Sequence, residues 1–204
     1  MNLQGLVISL PAILLALSVH EFAHGYVAYR LGDMTPKYQG RLTLNPLAHL
    51  DLIGTIMLIF VHFGWAKPVL VNPVNFRVDQ KKGMLYVALA GPLSNVLLAL
   101  TGGILYNLLV KMNAGYFWIL LVRFLIIINV NLAVFNLIPI PPLDGSKILA
   151  GLLPYKMHHI VYQLEAYGPI ILILLLVTNV FGTIFGPIIG GILDIIMRIS
   201  NLII

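Results

Sequence analysis

The apolar run Leu6 to Val19 holds no charged residue and leads straight into His20-Glu21-Phe22-Ala23-His24. Apolar sequence resumes at once with Gly25-Tyr26-Val27-Ala28-Tyr29. One ionisable side chain at bilayer depth costs about 2.5–3.5 kcal/mol on insertion scales, so a histidine–glutamate–histidine cluster there needs a functional reason. Residues four apart on a helix share a face, one turn from each other. His20 and His24 can therefore grip one metal ion. Glu21, directly after the first histidine, can act as a general base towards a water held at that ion.

Composition sets the environment of this motif. The chain has 204 residues, 60% hydrophobic and only 9% charged, with a mean hydropathy of +0.98. A soluble domain carries about 25% charged residues. The sequence thus reads as one integral membrane domain over 1–204 with several spans. There is no cysteine, which excludes disulfides and thiolate metal sites and leaves His, Asp and Glu as ligands. The net charge of +5 is spread over short loops and points to topology, not to nucleic acid. Met1-Asn2-Leu3-Gln4-Gly5 lacks a basic region, and no small-residue cleavage site precedes His20, so the first helix is expected to be retained and not removed as a signal peptide.

The pattern predicts an all-α polytopic membrane protein of about five to six membrane helices, one of them short or re-entrant, with a small β-sheet near the active site. Spans are expected over 5–31, 83–110 and 116–138, and 169–185 with 187–204 would form a C-terminal helical hairpin. The segment 47–64 is apolar but shorter than the roughly 20 residues a crossing needs, so it should dip in and return. Residues 40–46 alternate in polarity and 65–73 are proline-broken, which suggests two strands. Pro139, Pro141 and Pro142 end the span before them, a helix restarts over 145–153, and 155–167 is amphipathic enough for the interface.

Charge orients this scheme. With 47–64 re-entrant, Arg30, Lys37, Arg41, Lys67, Arg77, Lys81, Lys82, Lys147 and Lys156 all fall on one side, while Lys111 lies on the other. The positive-inside rule then places those loops and the active site towards the cytoplasm and the N-terminus outside.

A catalytic zinc takes three protein ligands and keeps one position open for water. The acids that can join His20 and His24 are Asp51, Asp144, Glu165 and Asp194. Asp144 is best placed, because Pro139, Pro141 and Pro142 force extended backbone before it and Gly145 permits a sharp turn after it. Asp194, at depth on the last span, could instead pair with Arg123.

His20-Glu21-x-x-His24 in a membrane helix, followed far downstream by Asn136-x-x-Pro139-x-Pro141-x-Leu143-Asp144-Gly145, resembles the site-2 proteases, the intramembrane zinc metalloproteases. Gly40-Arg41-Leu42-Thr43-Leu44-Asn45-Pro46 and Ala90-Gly91-Pro92-Leu93-Ser94-Asn95 also look like segments of that family, and the resemblance covers about 7–153. It implies one zinc ion per chain held by His20, His24 and Asp144, with Glu21 as catalytic base. It implies that Asn136 lies beside the site to hold substrate or an oxyanion, with Asn45 as a weaker analogue. The family's PDZ insertion and CBS domain are not seen, and the chain begins almost directly with the catalytic span. The implied function is a zinc-dependent intramembrane endopeptidase that cuts in or near the transmembrane segments of membrane-anchored proteins. By resemblance the substrates are anchors of signalling factors, the setting of regulated intramembrane proteolysis, or remnant signal peptides. An unwound substrate could add as a strand to the expected sheet.

Other readings of these residues stand beside it. Asn95 and Asn136 can serve as hydrogen-bonding glue between helices. His49 and His62 read as structural or interfacial, and His158-His159 as facing solvent or headgroups. Gly182-x-x-x-Gly186-x-x-x-Gly190 suits close helix packing within or between chains, and the oligomeric state is left open. A membrane metal transporter could also bury His and Asp, though transporters more often show internal repeats, and none is found. A non-catalytic scaffold should have lost Glu21 or a ligand.

Overall fold

The computed structural model describes residues 3–61, 64–178 and 180–204. In order, the helices are α1 (Leu3–Leu31), the single-turn α2 (Thr35–Tyr38), α3 (Leu52–Val61), α4 (Gln80–Lys111), α5 (Tyr116–Asn136), α6 (Asp144–Leu152), α7 (His158–Val177) and α8 (Val180–Ile203). Among the described residues, four stretches are long and apolar enough to cross a membrane: Ile8–Arg30 within α1, then α4, α5 and α8. The chain is thus a mostly helical, multi-pass membrane protein.

The central helix is α4, which packs against α1, α5, α6 and α8. Between α4, α5 and α8 lies a core of Ala99, Val122, Ile126, Val130, Val134, Ile189 and Ile196. Lipid tails are as apolar as these side chains, so close backbone approach and hydrogen bonds must hold the helices together. Gly103 supplies such an approach, because a Cβ there would stand 2.4 Å from Ser200 Oγ on α8. One turn on, Asn107 Nδ2 donates to Asn201 Oδ1 at 2.7 Å. At the other end of α8, Phe181 packs edge-on to Phe135 near the end of α5. These contacts make α8 parallel to α4 and antiparallel to α5.

The C-terminal segments divide differently from the sequence expectation. Most of the expected interfacial stretch 155–167 and the first part of the expected arm 169–185 form α7, which passes through Pro169 and ends at Val177, while the rest of that arm opens α8. Pro187 lies inside α8 and does not end it. Neighbouring structure in membrane helices can compensate the hydrogen bond that proline removes. Gly168 of α7 packs on the carbonyl of Pro141, so α7 stays beside the loops that precede α6. The expected Asp194–Arg123 pair is not formed, and both residues are exposed.

The small β-sheet is also corrected. Among the described residues there is no strand, only an isolated antiparallel bridge between Leu50 and Ala66. The backbone N–H groups that a ladder would use are engaged elsewhere. Val69 N–H donates to Glu21 Oε2 at 3.0 Å and Asn72 N–H donates to Asp33 Oδ2 at 2.7 Å, while Pro68 and Pro73 have none to give. In the 40–46 stretch, Arg41 is buried and donates to Ala48 O. His49 folds back on Thr43 O at 2.8 Å, and Asn45 caps a short 3-10 turn at Pro46–Ala48. The stretch is thus an irregular loop pinned by side-chain to backbone hydrogen bonds, with Arg41 buried in it.

The out-and-back course of 47–64 does appear. α3 has 10 residues, about 15 Å at 1.5 Å per residue, too short to cross. The chain leaves at Leu50 and is back beside it at Ala66, where Lys67 N–H donates to His49 O at 2.8 Å.

Candidate metal centre

Three of the predicted site residues converge. His20 and His24 lie on α1, and Asp144 is the first residue of α6. The loop before α6 is drawn tight, since a Cβ at Gly145 would stand 2.3–2.4 Å from the carbonyl oxygens of Ile138 and Leu137. This turn aims the Asp144 carboxylate back at α1. Its Oδ2 stands 3.1 Å from His20 Nε2 and 3.0 Å from His24 Nε2. The two Nε2 atoms are themselves 3.0 Å apart. All three residues are buried, at 5%, 8% and 7% exposure.

This near-equilateral triangle of donor atoms fits a small cation. Ligand atoms about 2.0–2.1 Å from a tetrahedral zinc stand about 3.3–3.4 Å apart, within a few tenths of an ångström of the edges found here. The donor types, two imidazoles and a carboxylate, are those of catalytic zinc sites. One wall is backbone. A Cβ on Gly91 of α4 would come 2.4 Å from His24 Nε2 and 2.6 Å from His20 Nε2. Burial alone would push the Asp144 carboxyl towards its neutral form, but hydrogen bonds and charge from both imidazoles hold it well below the usual carboxylate range. It is thus an anionic donor.

Each imidazole is also held from behind. His24 Nδ1 donates to Val87 O at 2.7 Å. His20 Nδ1 lies 2.5 Å from Asn95 Oδ1. Both Nε2 atoms are thereby left facing the carboxylate, as metal-binding histidines require. Lys147 Nζ is 3.9 Å from Asp144 Oδ1, but it is half exposed and adds little.

Glu21 is half buried beside the triangle in sequence, its carboxylate steadied by the Val69 N–H. Asn136 is not brought to the ligands. Its amide donates to Leu132 O at 3.0 Å, one turn back on its own helix. Asn45 is exposed in its 3-10 cap. Of the other acids considered, Asp51 caps α3 through Gly54 N–H at 2.8 Å, and Glu165 and Asp194 are exposed. His49 is buried in its loop, and His62 lies outside the described residues. An apolar cavity of about 360 Å³ lined by Pro11, Leu15, Leu105, Trp118 and Leu125 has almost no polar wall and no share in this chemistry.

Four contributors have no site role assigned from the sequence. Gly91 and Asn95 read there as part of a family-like segment, and Asn95 also as hydrogen-bonding glue between helices; their four-residue spacing places both on one face of α4. Asn129, fully buried on α5, lies seven residues, two turns, before Asn136. The Val87 carbonyl has no signal in sequence, because any residue supplies one.

The comparisons with known proteins agree with this geometry. The family model described as "Peptidase family M50" matches residues 110–178, the part that contains Asp144. A Bacillus subtilis (strain 168) protein named "Putative zinc metalloprotease YwhC" is 41% identical over 172 residues, covering 81% of this chain and 78% of that protein. Rip2 of Mycolicibacterium smegmatis, similarly named, is 30% identical over 172 residues, 81% of this chain and 64% of that protein. No solved structure gives a significant match. With a buried His-His-Asp triangle and a metalloprotease relative matched over most of both chains, this chain belongs to peptidase family M50, the site-2 protease family.

Proposed function

We propose that this chain is a zinc-dependent intramembrane endopeptidase that hydrolyses peptide bonds in or near the transmembrane segments of membrane-anchored proteins. The observation that carries the reading is the meeting of His20, His24 and Asp144 within 3.0–3.1 Å, buried, with Glu21 next in sequence to one of them. His20, His24 and Asp144 would hold one zinc ion. When bound, zinc supplies a Lewis acid for the scissile carbonyl and acidifies a water towards a pKa of about 7.

The chain's own residues do the rest. Glu21 takes the proton of the attacking water and hands it to the leaving amine. The Val69 N–H at 3.0 Å keeps its carboxylate oriented between these steps. Asn136 must turn from Leu132 O before its amide can donate to a developing oxyanion. The burial of all three ligands excludes bulk water and strengthens every polar contact in the site. A helical substrate hides its peptide bonds in internal hydrogen bonds, so it must unwind locally to be cut.

The asymmetry of basic residues supports an active site towards the cytoplasm and an N-terminus outside. The α1 end after His24 and the α4 end before Gly91 both lie at the Lys- and Arg-bearing loops. The test is Glu21→Gln in the purified chain with a panel of transmembrane peptides. Zinc content is expected to stay at wild type while cleavage falls at least a thousandfold, roughly the scale of losing a general base. Wild-type turnover by E21Q, or a wild-type chain that binds no zinc, overturns the proposal.

A further inference from the structure

The His20 imidazole is oriented by a chain of amides that reaches a helix carrying no candidate ligand. Asn95 Oδ1 accepts from His20 Nδ1. Asn95 Nδ2 donates to Asn129 Oδ1 at 2.7 Å and to Ala16 O at 3.2 Å. Asn129 Nδ2 donates to Leu125 O at 2.8 Å. Both asparagines are fully buried, with 0% exposure. The chain runs from α5 through α4 to α1.

We infer that Asn129 is a positioning residue for the metal centre: through Asn95 it fixes which nitrogen of His20 faces the ligand triangle. The inference rests on the zinc reading above and adds a residue from a third helix to it.

The direction of the chain follows from donor and acceptor types. A backbone carbonyl only accepts, so Leu125 O fixes the Nδ2 end of Asn129 and turns its oxygen towards Asn95. Ala16 O and Asn129 Oδ1 together fix the Nδ2 end of Asn95, which leaves its oxygen for His20. An amide oxygen only accepts as well, so His20 carries a proton on Nδ1 and, with an ion bound, has its Nε2 lone pair to give to it. Flipping Asn129 would set its NH2 against that of Asn95, and flipping Asn95 would set its oxygen against Asn129 Oδ1 and Ala16 O; either leaves buried polar groups unpaired. His24 needs no such arrangement, because a backbone carbonyl, Val87 O, does the same work. One ligand is held by the main chain, which substitution cannot remove, and the other by two side chains, which it can.

Outer partners of metal-binding histidines contribute about tenfold to a hundredfold in metal affinity. The experiment uses the full chain in detergent, with zinc affinity from chelator competition, unfolding of the metal-free form, and ¹⁵N NMR of the histidines. Asn129→Leu is expected to weaken zinc by about tenfold or more and to move His20 from a single Nδ1–H tautomer to a mixture. Asn129→Asp, neutral at this depth because burial disfavours its charge, keeps an acceptor oxygen towards Asn95 and a hydroxyl for Leu125 O, and is expected to stay within about threefold of wild type. Should N129L not fold, Asn129→Ser, too short to reach Asn95, is expected to give the same loss. The inference is overturned if N129L or N129S lowers the unfolding midpoint but leaves zinc affinity and the His20 tautomer unchanged, since Asn129 is then only helix glue. It is equally overturned if N129D loses as much as N129L. A wild-type chain without zinc affinity would instead sink the metal reading itself.

Discussion

Replacing Gly91 with alanine adds one methyl group where the backbone of α4 forms a wall of the ligand triangle. That carbon would sit 2.4 Å from His24 Nε2, 2.5 Å from His20 Cε1 and 2.6 Å from His20 Nε2, whereas ordinary contact begins at 3.4 Å. The rings must therefore retreat by about 1 Å, while metal–ligand distances tolerate only about 0.2 Å. Retreat also pulls His24 Nδ1 from Val87 O and His20 Nδ1 from Asn95, and each buried group left unpaired costs about 1–3 kcal/mol. A loss of about 3 kcal/mol in zinc binding corresponds to about a hundredfold in affinity, at 1.4 kcal/mol per factor of ten. The metal-free fold should weaken as well, because the same ring contacts are strained without the ion. Alanine gains about 1 kcal/mol over glycine inside a helix, which offsets only part of an overpacking cost of about 1–3 kcal/mol. The assay is chelator competition on detergent-solubilised chain, with unfolding of the metal-free form alongside. Gly190→Ala, where a Cβ meets nothing within 4 Å, is the control and should match wild type. Wild-type zinc affinity in G91A would refute the placement of this backbone against the ligands.

Two further predictions concern stability. Asp33 is fully buried; burial opposes its ionisation, but hydrogen bonds from Thr35, Asn75 and Asn72 outweigh that and hold its carboxyl below the usual range. Its contribution should be complete above the unfolded carboxyl pKa of about 3.9 and be lost as pH falls towards the lower folded value. Asp33→Asn should then cost about 2 kcal/mol at pH 6, and the gap to wild type should close below about pH 4. A gap that does not vary between pH 3 and pH 6 in thermal unfolding would contradict this. Stripping zinc with a chelator should lower the unfolding midpoint, by about 2.7 kcal/mol of stability when free zinc had stood at 100 times its dissociation constant; an unmoved midpoint would mean that no ion bridges α1 and α6.

Much of the site is legible in the sequence because its first half is local. His20, Glu21 and His24 share one turn of helix, and their spacing, set in a membrane-length helix, points to a metal site. Asp144 is legible through its frame, where three prolines and a glycine can hardly be anything but a shaped loop. What holds these residues is less legible. Asn95 lies 75 positions from His20, and Val87 63 positions from His24. No periodicity links residues that meet only once three helices have packed. The expected sheet fails for a related reason. Alternation at 40–46 and the proline-broken pattern of 65–73 suggest extended chain, but both are silent on where the N–H groups go. Two of them go to Glu21 and Asp33. The last helices were divided at the Gly186-Pro187 pair, a break signal in water that a membrane helix tolerates.

His20 and Asp144 are 124 positions apart in the chain. During synthesis at about 5–20 residues per second, the histidines leave the ribosome many seconds before their carboxylate partner exists. Asn95 and Asn129 come between. A nascent chain therefore holds only two of its three candidate ligands until α4 and α5 have been made. The triangle of donor atoms can close only after α6 has been made, once α4 and α5 have already supplied the partners of both histidines.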